Sequence, residues 1–134
     1  LPDIYLNRSE ALIGKGDLVA ARLDCSRALR GYRQVADGLG MADALRFYGR
    51  ICRVEESWEE ARKCLEKSLD LNRQYGQTVG LGEALYEMGA LECDIGQTAA
   101  ALEPLREAER IFYDAGAMPD LQRVREKLAV IAAA

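Results

Sequence analysis

Residues 41–80, MADALRFYGRICRVEESWEEARKCLEKSLDLNRQYGQTVG, decide the fold, because they fit the chain on either side of them without a gap. Shifted by 40 positions they lie on LPDIYLNRSEALIGKGDLVAARLDCSRALRGYRQVADGLG (1–40) and on LGEALYEMGALECDIGQTAAALEPLREAERIFYDAGAMPD (81–120). Equivalent positions hold Ser9, Gly49 and Gly89; Leu12, Cys52 and Glu92; and Ala21, Ala61 and Ala101. Further along come Cys25, Leu65 and Leu105, then Ala28, Ser68 and Ala108. Self-similarity at a fixed period of this length marks a repeat architecture, in which each unit buries its apolar face only against its neighbours.

Inside the middle block the pattern is two helices. Leu45, Tyr48, Gly49 and Cys52 recur at the i, i+3, i+4, i+7 spacing, which predicts a helix over 41–53. A break follows at Val54-Glu55-Glu56-Ser57, matched by Gly14-Lys15-Gly16-Asp17 and Asp94-Ile95-Gly96-Gln97. Ser57, three residues before Glu60, reads as a capping box, and Asp17 reads as an N-cap. The second helix is longer, with Trp58, Ala61, Leu65, Leu69 and Leu71 on its apolar side. Small residues at 49/89 and 21/61/101 let the two helices approach closely. After residue 120, Leu121, Val124, Leu128 and Ile131 form one more apolar stripe, with Arg123, Arg125 and Lys127 mostly outside it. The expected fold is therefore all-α. It has three antiparallel helical hairpins (1–40, 41–80 and 81–120) and a capping helix over 121–134, in one domain cut from a longer protein.

These residues resemble the tetratricopeptide repeats. The resemblance rests on Gly49 and Gly89, the turn glycines Gly16 and Gly96, the alanines at 21, 61 and 101, and the small residues at 28, 68 and 108. The family repeat is usually about 34 residues long; here the second helix and its turn are extended. That is similar to the longer variant of animal spindle-orientation adaptors and of bacterial regulators of the maltose-activator type. Cys52 and Glu92 depart from the family pattern, standing where a large aromatic is common. The proline that often ends a repeat is absent except near Pro119. The resemblance implies a right-handed superhelical array, a protein-binding scaffold inside a signalling or regulatory protein, and no enzyme activity.

Composition points the same way. The net charge of −4 argues against nucleic acid as the partner. No stretch approaches the roughly 20 apolar residues of a membrane span. Acidity is concentrated in residues 81–120, which carry nine acidic and two basic side chains, so a charged partner is expected to meet a polarised surface. The four cysteines, Cys25, Cys52, Cys64 and Cys93, are widely spaced and the chain has no histidine. They read as small buried hydrophobes of a reducing, cytoplasmic compartment, with no metal site and no cofactor. Without histidine the commonest general base is missing, and no serine sits in a nucleophile elbow. Glu55, Glu56, Glu59 and Glu60 gather at a helix start, where the helix dipole explains them.

Opposite the buried stripe of the middle hairpin lie Arg46, Arg50 and Arg53, flanked by Phe47. The equivalent slots hold Leu6, Glu10 and Ile13 in the first block, with Asn7 beside them. In the third block they hold Tyr86, Ala90 and Cys93, with Glu87 beside them. Two readings follow. Asn7, Glu10, Arg46, Phe47, Arg50, Arg53, Tyr86 and Glu87 line a concave groove for an acidic peptide, since guanidinium groups bind carboxylates in fork geometry. Alternatively, the arginines are a solvated face paired with Glu10 or Glu87 across hairpins. The unprotected Ile4-Tyr5-Leu6 segment adds a further expectation, a homodimer through the N-terminal end or packing against a neighbouring domain.

Overall fold

The computed structural model describes residues 1–134 and contains seven α-helices and no strand. They are α1 (Pro2–Lys15), α2 (Leu18–Gln34), α3 (Gly38–Val54), α4 (Trp58–Gln74), α5 (Thr78–Ile95), α6 (Thr98–Ala115) and α7 (Met118–Ala133). Consecutive helices pack as hairpins, and each hairpin packs on the next. The odd-numbered helices also touch one another in sequence, α1 on α3, α3 on α5 and α5 on α7, whereas α2, α4 and α6 make no mutual contacts. Helices that touch lie on the inside of a bend. The array therefore curves, with α1, α3, α5 and α7 lining its concave side.

The helix starts differ from the sequence expectation in a regular way. α3, α5 and α7 each begin three residues before the block boundary, because the turn between hairpins falls at 35–37, 75–77 and 116–117. Asp37 sets the first of these starts, its carboxylate accepting from the Gly40 amide at 2.9 Å. Asp17 caps α2 as expected, through the Ala20 amide at 3.2 Å. Ser57 occupies the N-cap position of α4 but makes no side-chain capping bond, so the capping box is not formed. Every turn places one residue in the left-handed region at the same register. Gly16, Gly76, Gly96 and Gly116 take it without strain, while Ala36 (φ 54°) and Glu56 (φ 63°) do so with a Cβ.

Two apolar clusters form the core. Leu6, Cys25, Tyr32, Phe47 and Ile51 belong to the N-terminal one. Leu65, Leu91, Leu105, Phe112, Leu121 and Val124 belong to the other. Tyr48 touches both. The small-residue positions explain how the hairpins close: a Cβ on Gly49 would stand 2.7 Å from the Leu65 side chain, and one on Gly89 would stand 2.5 Å from Leu105. Buried hydroxyls are satisfied by backbone, Ser9 donating to the Ala21 carbonyl at 3.0 Å and Ser68 to that of Ala42 at 2.7 Å.

α7 covers the third hairpin with Leu121 and Val124, and Leu128 and Ile131 pack on the same cluster. Its far side departs from the repeat. Gln122 replaces Ala42/Gly82, Arg125 replaces Leu45/Leu85, and Ala129 replaces Gly49/Gly89; all three are exposed. Arg125 instead reaches Glu109 on α6 at 3.1 Å.

Candidate functional site

On the concave side α3 and α5 are neighbours, and an offset of 37 residues brings their side chains together. Arg46 meets Glu83 at 2.8 Å and Asp43, one turn back on its own helix, at 3.5 Å. The Arg50 Nε donates to Glu87 at 2.8 Å. Arg53 donates to the other Glu87 oxygen at 3.2 Å and to Asp94 at 2.9 Å. The result is a ladder of three guanidinium groups and four carboxylates. Its centre is Glu87, only 2% exposed, with each oxygen held by a different arginine.

Phe47 is the platform under this ladder. Its ring is buried in the N-terminal cluster, with the Arg46 and Arg50 guanidinium groups over it at 4.7 and 5.3 Å. The expectation of Phe47 as an aromatic lining the groove is therefore corrected: it supports the arginines from beneath. Leu6 is likewise in the core and not part of an open edge. Tyr86 is half-buried, with Arg123 of α7 over its ring at 5.2 Å. Asn7 and Glu10 are exposed on α1 and do not join the ladder.

Burial acts differently on the ladder's members. It raises the pKa of Glu83 and of Asp43, an effect that Arg46 only partly offsets. Burial alone would lower the Arg53 pKa, but Glu87 and Asp94 outweigh it and hold the guanidinium charged. Two hydrogen-bonding capacities stay open. The Nε of Arg46 and of Arg53 have no partner. The terminal nitrogens of Arg50 make no bond within the chain, since Nε alone meets Glu87.

The structure thus brings Arg46, Phe47, Arg50, Arg53 and Glu87 together, leaves Tyr86 beside α7, and keeps Asn7 and Glu10 apart. Sequence reasoning missed Asp43, Glu83 and Asp94. The signal that would have found them is the 37-residue spacing of opposite charges in Arg46/Glu83 and Arg50/Glu87. It also missed the link between the first two hairpins: Arg22 pairs with Glu55, with Glu60 at 3.4 Å, and donates to the Tyr48 hydroxyl at 2.7 Å. Glu55 and Glu60 are therefore ion-pair partners as well as residues near a helix start.

No helix is long and apolar enough to cross a membrane. A family model described as tetratricopeptide repeat matches residues 40–114, more than half of the chain and nearly all of α3 to α6. No curated protein matches the chain in sequence.

Proposed function

The chain belongs to the tetratricopeptide repeat family, a protein-interaction module and not an enzyme family, and on that premise we propose that its concave face receives a segment of a partner protein. One observation carries the reading. Arg50 is stacked on Phe47 and fixed at Nε by Glu87, which leaves its terminal nitrogens pre-oriented with no internal partner. Little side-chain freedom remains to be lost when a carboxylate docks there. The ladder holds more carboxylates than guanidinium groups. The matching partner therefore brings a single acidic side chain to Arg50, flanked by neutral or basic residues, and not an acidic run. Tyr86, Asn7 and Glu10 extend the contact surface to either side, and α7 closes the array behind it.

The test is capture of the partner by wild-type chain, Arg50→Lys and Tyr86→Ala. Lysine keeps the charge beside Glu87 and loses the outward fork. A charge-assisted hydrogen bond contributes roughly 1.5–3 kcal/mol, so capture by Arg50→Lys should weaken roughly tenfold or more. Equal capture by all three proteins would remove the groove from the account. Charge reversal of Arg46, Arg50 and Arg53 together is unsuitable, because it would surround buried Glu87 with carboxylates and break the fold.

A second reading, self-association, has its own observation. Met41 and Ala44 pack α3 against the preceding hairpin, and the equivalent Leu1, at the N-cap of α1, and Ile4, on α1, are 87% and 60% exposed. A sedimentation coefficient that rises with concentration, and stops rising in Ile4→Glu, would support it. A concentration-independent monomer would end it.

A further inference from the structure

The convex side carries two grooves that the repeat makes equivalent. The first, of about 420 Å³ between α2 and α4, has Leu29, Leu45 and Tyr48 as its apolar lining. The second, of about 370 Å³ between α4 and α6, has Leu69, Leu85 and Met88, each 40 residues further on. The shapes correspond but the charges do not. In the second groove Arg62 meets Glu92 at 2.5 Å and Arg73 meets Glu107 at 3.6 Å, with Glu66 and Glu103 beside them. One repeat earlier, the positions of Glu92, Glu107, Glu66 and Glu103 hold Cys52, Lys67, Ser26 and Lys63.

Arg33 therefore stands where Arg73 does, but a lysine takes the place of its carboxylate partner. Arg30 joins Arg33 in the lining of the first groove. Arg30, Arg33, Lys63 and Lys67 are all exposed, and none belongs to an ion pair of the chain. Glu60, the one carboxylate of the lining, is turned to Arg22 at 3.4 Å. Glu59 and Asp70, also exposed on α4, form no ion pair with these cations. An apolar floor is thus bordered by four cations that the fold leaves unmatched, whereas the equivalent groove is matched from within.

We propose that this first groove receives an extended segment of a partner protein in which an apolar side chain adjoins two acidic ones. The segment's length follows from the walls. From Ser26 to Arg33 α2 rises about 10 Å, a distance that about three residues of extended chain cover. Leu29, Leu45 and Tyr48 take the apolar side chain. Arg30 and Arg33, nearly one turn apart, present guanidinium forks to the carboxylates. Lys63 and Lys67 supply point charges from α4. An acidic run is disfavoured on the concave face, where carboxylates outnumber guanidinium groups, and is favoured here. The two surfaces lie on opposite sides of the array, so this contact does not rest on the one proposed for Arg50.

The isotope-labelled full chain is titrated with the capped peptide acetyl-Leu-Leu-Glu-Glu-amide, and separately with its Leu-Leu-Lys-Lys counterpart and with inorganic phosphate, while backbone amide shifts are followed. The acidic peptide should move the amides of Leu29, Arg33, Leu45 and Tyr48 saturably and leave those of Leu69, Leu85 and Met88 in place. Lys67→Glu gives Arg33 the partner that Arg73 has in Glu107, and it should weaken the acidic peptide about tenfold or more. Arg33→Gln, which removes a charge without adding one, should weaken it less. Arg50→Lys should bind as wild type does, which keeps this contact separate from the concave one. Circular dichroism checks that each variant keeps its helices, and the wild-type titrations need no variant at all. The proposal is overturned by the absence of a saturable shift, by equal shifts at both grooves, by equal binding of the lysine peptide, or by binding unchanged in both Lys67→Glu and Arg33→Gln. Phosphate that reproduces the shifts at Leu45 and Tyr48 would reveal an adventitious ion only, and overturns it as well.

Discussion

Replacing Glu87 by leucine tests whether the ladder holds the fold or merely decorates it. The carboxylate is 2% exposed and is the shared partner of Arg50 and Arg53, whose side chains are 23% and 18% exposed. Removing one partner of a buried pair costs about 3–5 kcal/mol, because the other charge is left uncompensated. Here the lower end applies: Arg53 keeps Asp94 and Arg50 keeps its stacking on Phe47, so about 3 kcal/mol is expected. For a domain of this size that lowers Tm by roughly 10 °C. The comparison is Glu107→Ala, which removes a pair with Arg73 whose side chains are 50% and 32% exposed and 3.6 Å apart. An exposed pair contributes about 0–1 kcal/mol. Urea unfolding of both variants, with a double-mutant cycle through Arg50→Leu, separates the pair from the burial of each side chain. If Glu87→Leu costs no more than Glu107→Ala, or if the cycle gives no coupling between Arg50 and Glu87, the ladder is a solvated face. The pre-orientation of Arg50 then fails with it.

Three further outcomes follow from the packing. Gly49→Ala should cost about 1–3 kcal/mol in chemical denaturation, the usual penalty of overpacking, because its Cβ would meet Leu65 at 2.7 Å; a neutral result would mean that α3 and α4, the two helices of the middle hairpin, separate freely. The hydrogen bond from Arg8 at 2.6 Å holds Asp24 below its ordinary pKa. Its contribution is thus present above the unfolded carboxylate pKa and lost as pH falls through the lower folded value. Asp24→Asn should be less stable than wild type at neutral pH, and the gap should close on acidification, as read from unfolding midpoints; a gap constant with pH would contradict the pairing. Restoring the repeat's residues on the far side of α7 with Gln122→Ala, Arg125→Leu and Ala129→Gly should create an open helix-binding face, and sedimentation velocity should then show concentration-dependent association beyond that of wild type. Unchanged sedimentation would mean that these three residues do not close the array.

The repeat was legible because its signal is steric. A small residue at 49 and 89 faces Leu65 and Leu105, and that requirement recurs at the same spacing whatever the surface does. The stripe of α7 was readable for the same reason. Phe47 was misplaced because helical spacing alone does not distinguish the edge of a buried stripe from the rim of a groove. The structure settles it by stacking two guanidinium groups on the ring. The hairpin-to-hairpin turns were read three residues late because Asp37 bonds Gly40 from within a segment whose glycines look like loop. The ladder was out of reach for a different reason. The sequence period is 40, but side chains meet across α3 and α5 at an offset of 37, and that offset depends on how neighbouring helices are staggered.

The same stagger changes what the charge distribution means. Residues 81–120 carry nine acidic side chains against two basic ones, which from sequence looks like a polarised surface awaiting a cation. Seven of the nine already face arginines from the flanking segments. Glu83, Glu87, Glu92, Asp94 and Glu107 meet Arg46, Arg50, Arg53, Arg62 and Arg73 of the middle block. Glu109 and Asp120 meet Arg125 and Arg123 of α7. Apart from Asp120–Arg123, which lies within α7, these pairs sit at the seams between helices. Few of these exposed pairs add much stability singly, but together they favour this order of the units, because the first block, with equally many arginines, does not carry them at the positions of Arg46, Arg50 and Arg53. Apolar faces built from alanine, leucine and glycine would stack almost interchangeably. Complementary charge at the seams disfavours other registers, and the recognition proposed for the unpaired guanidinium edge of Arg50 depends on that order.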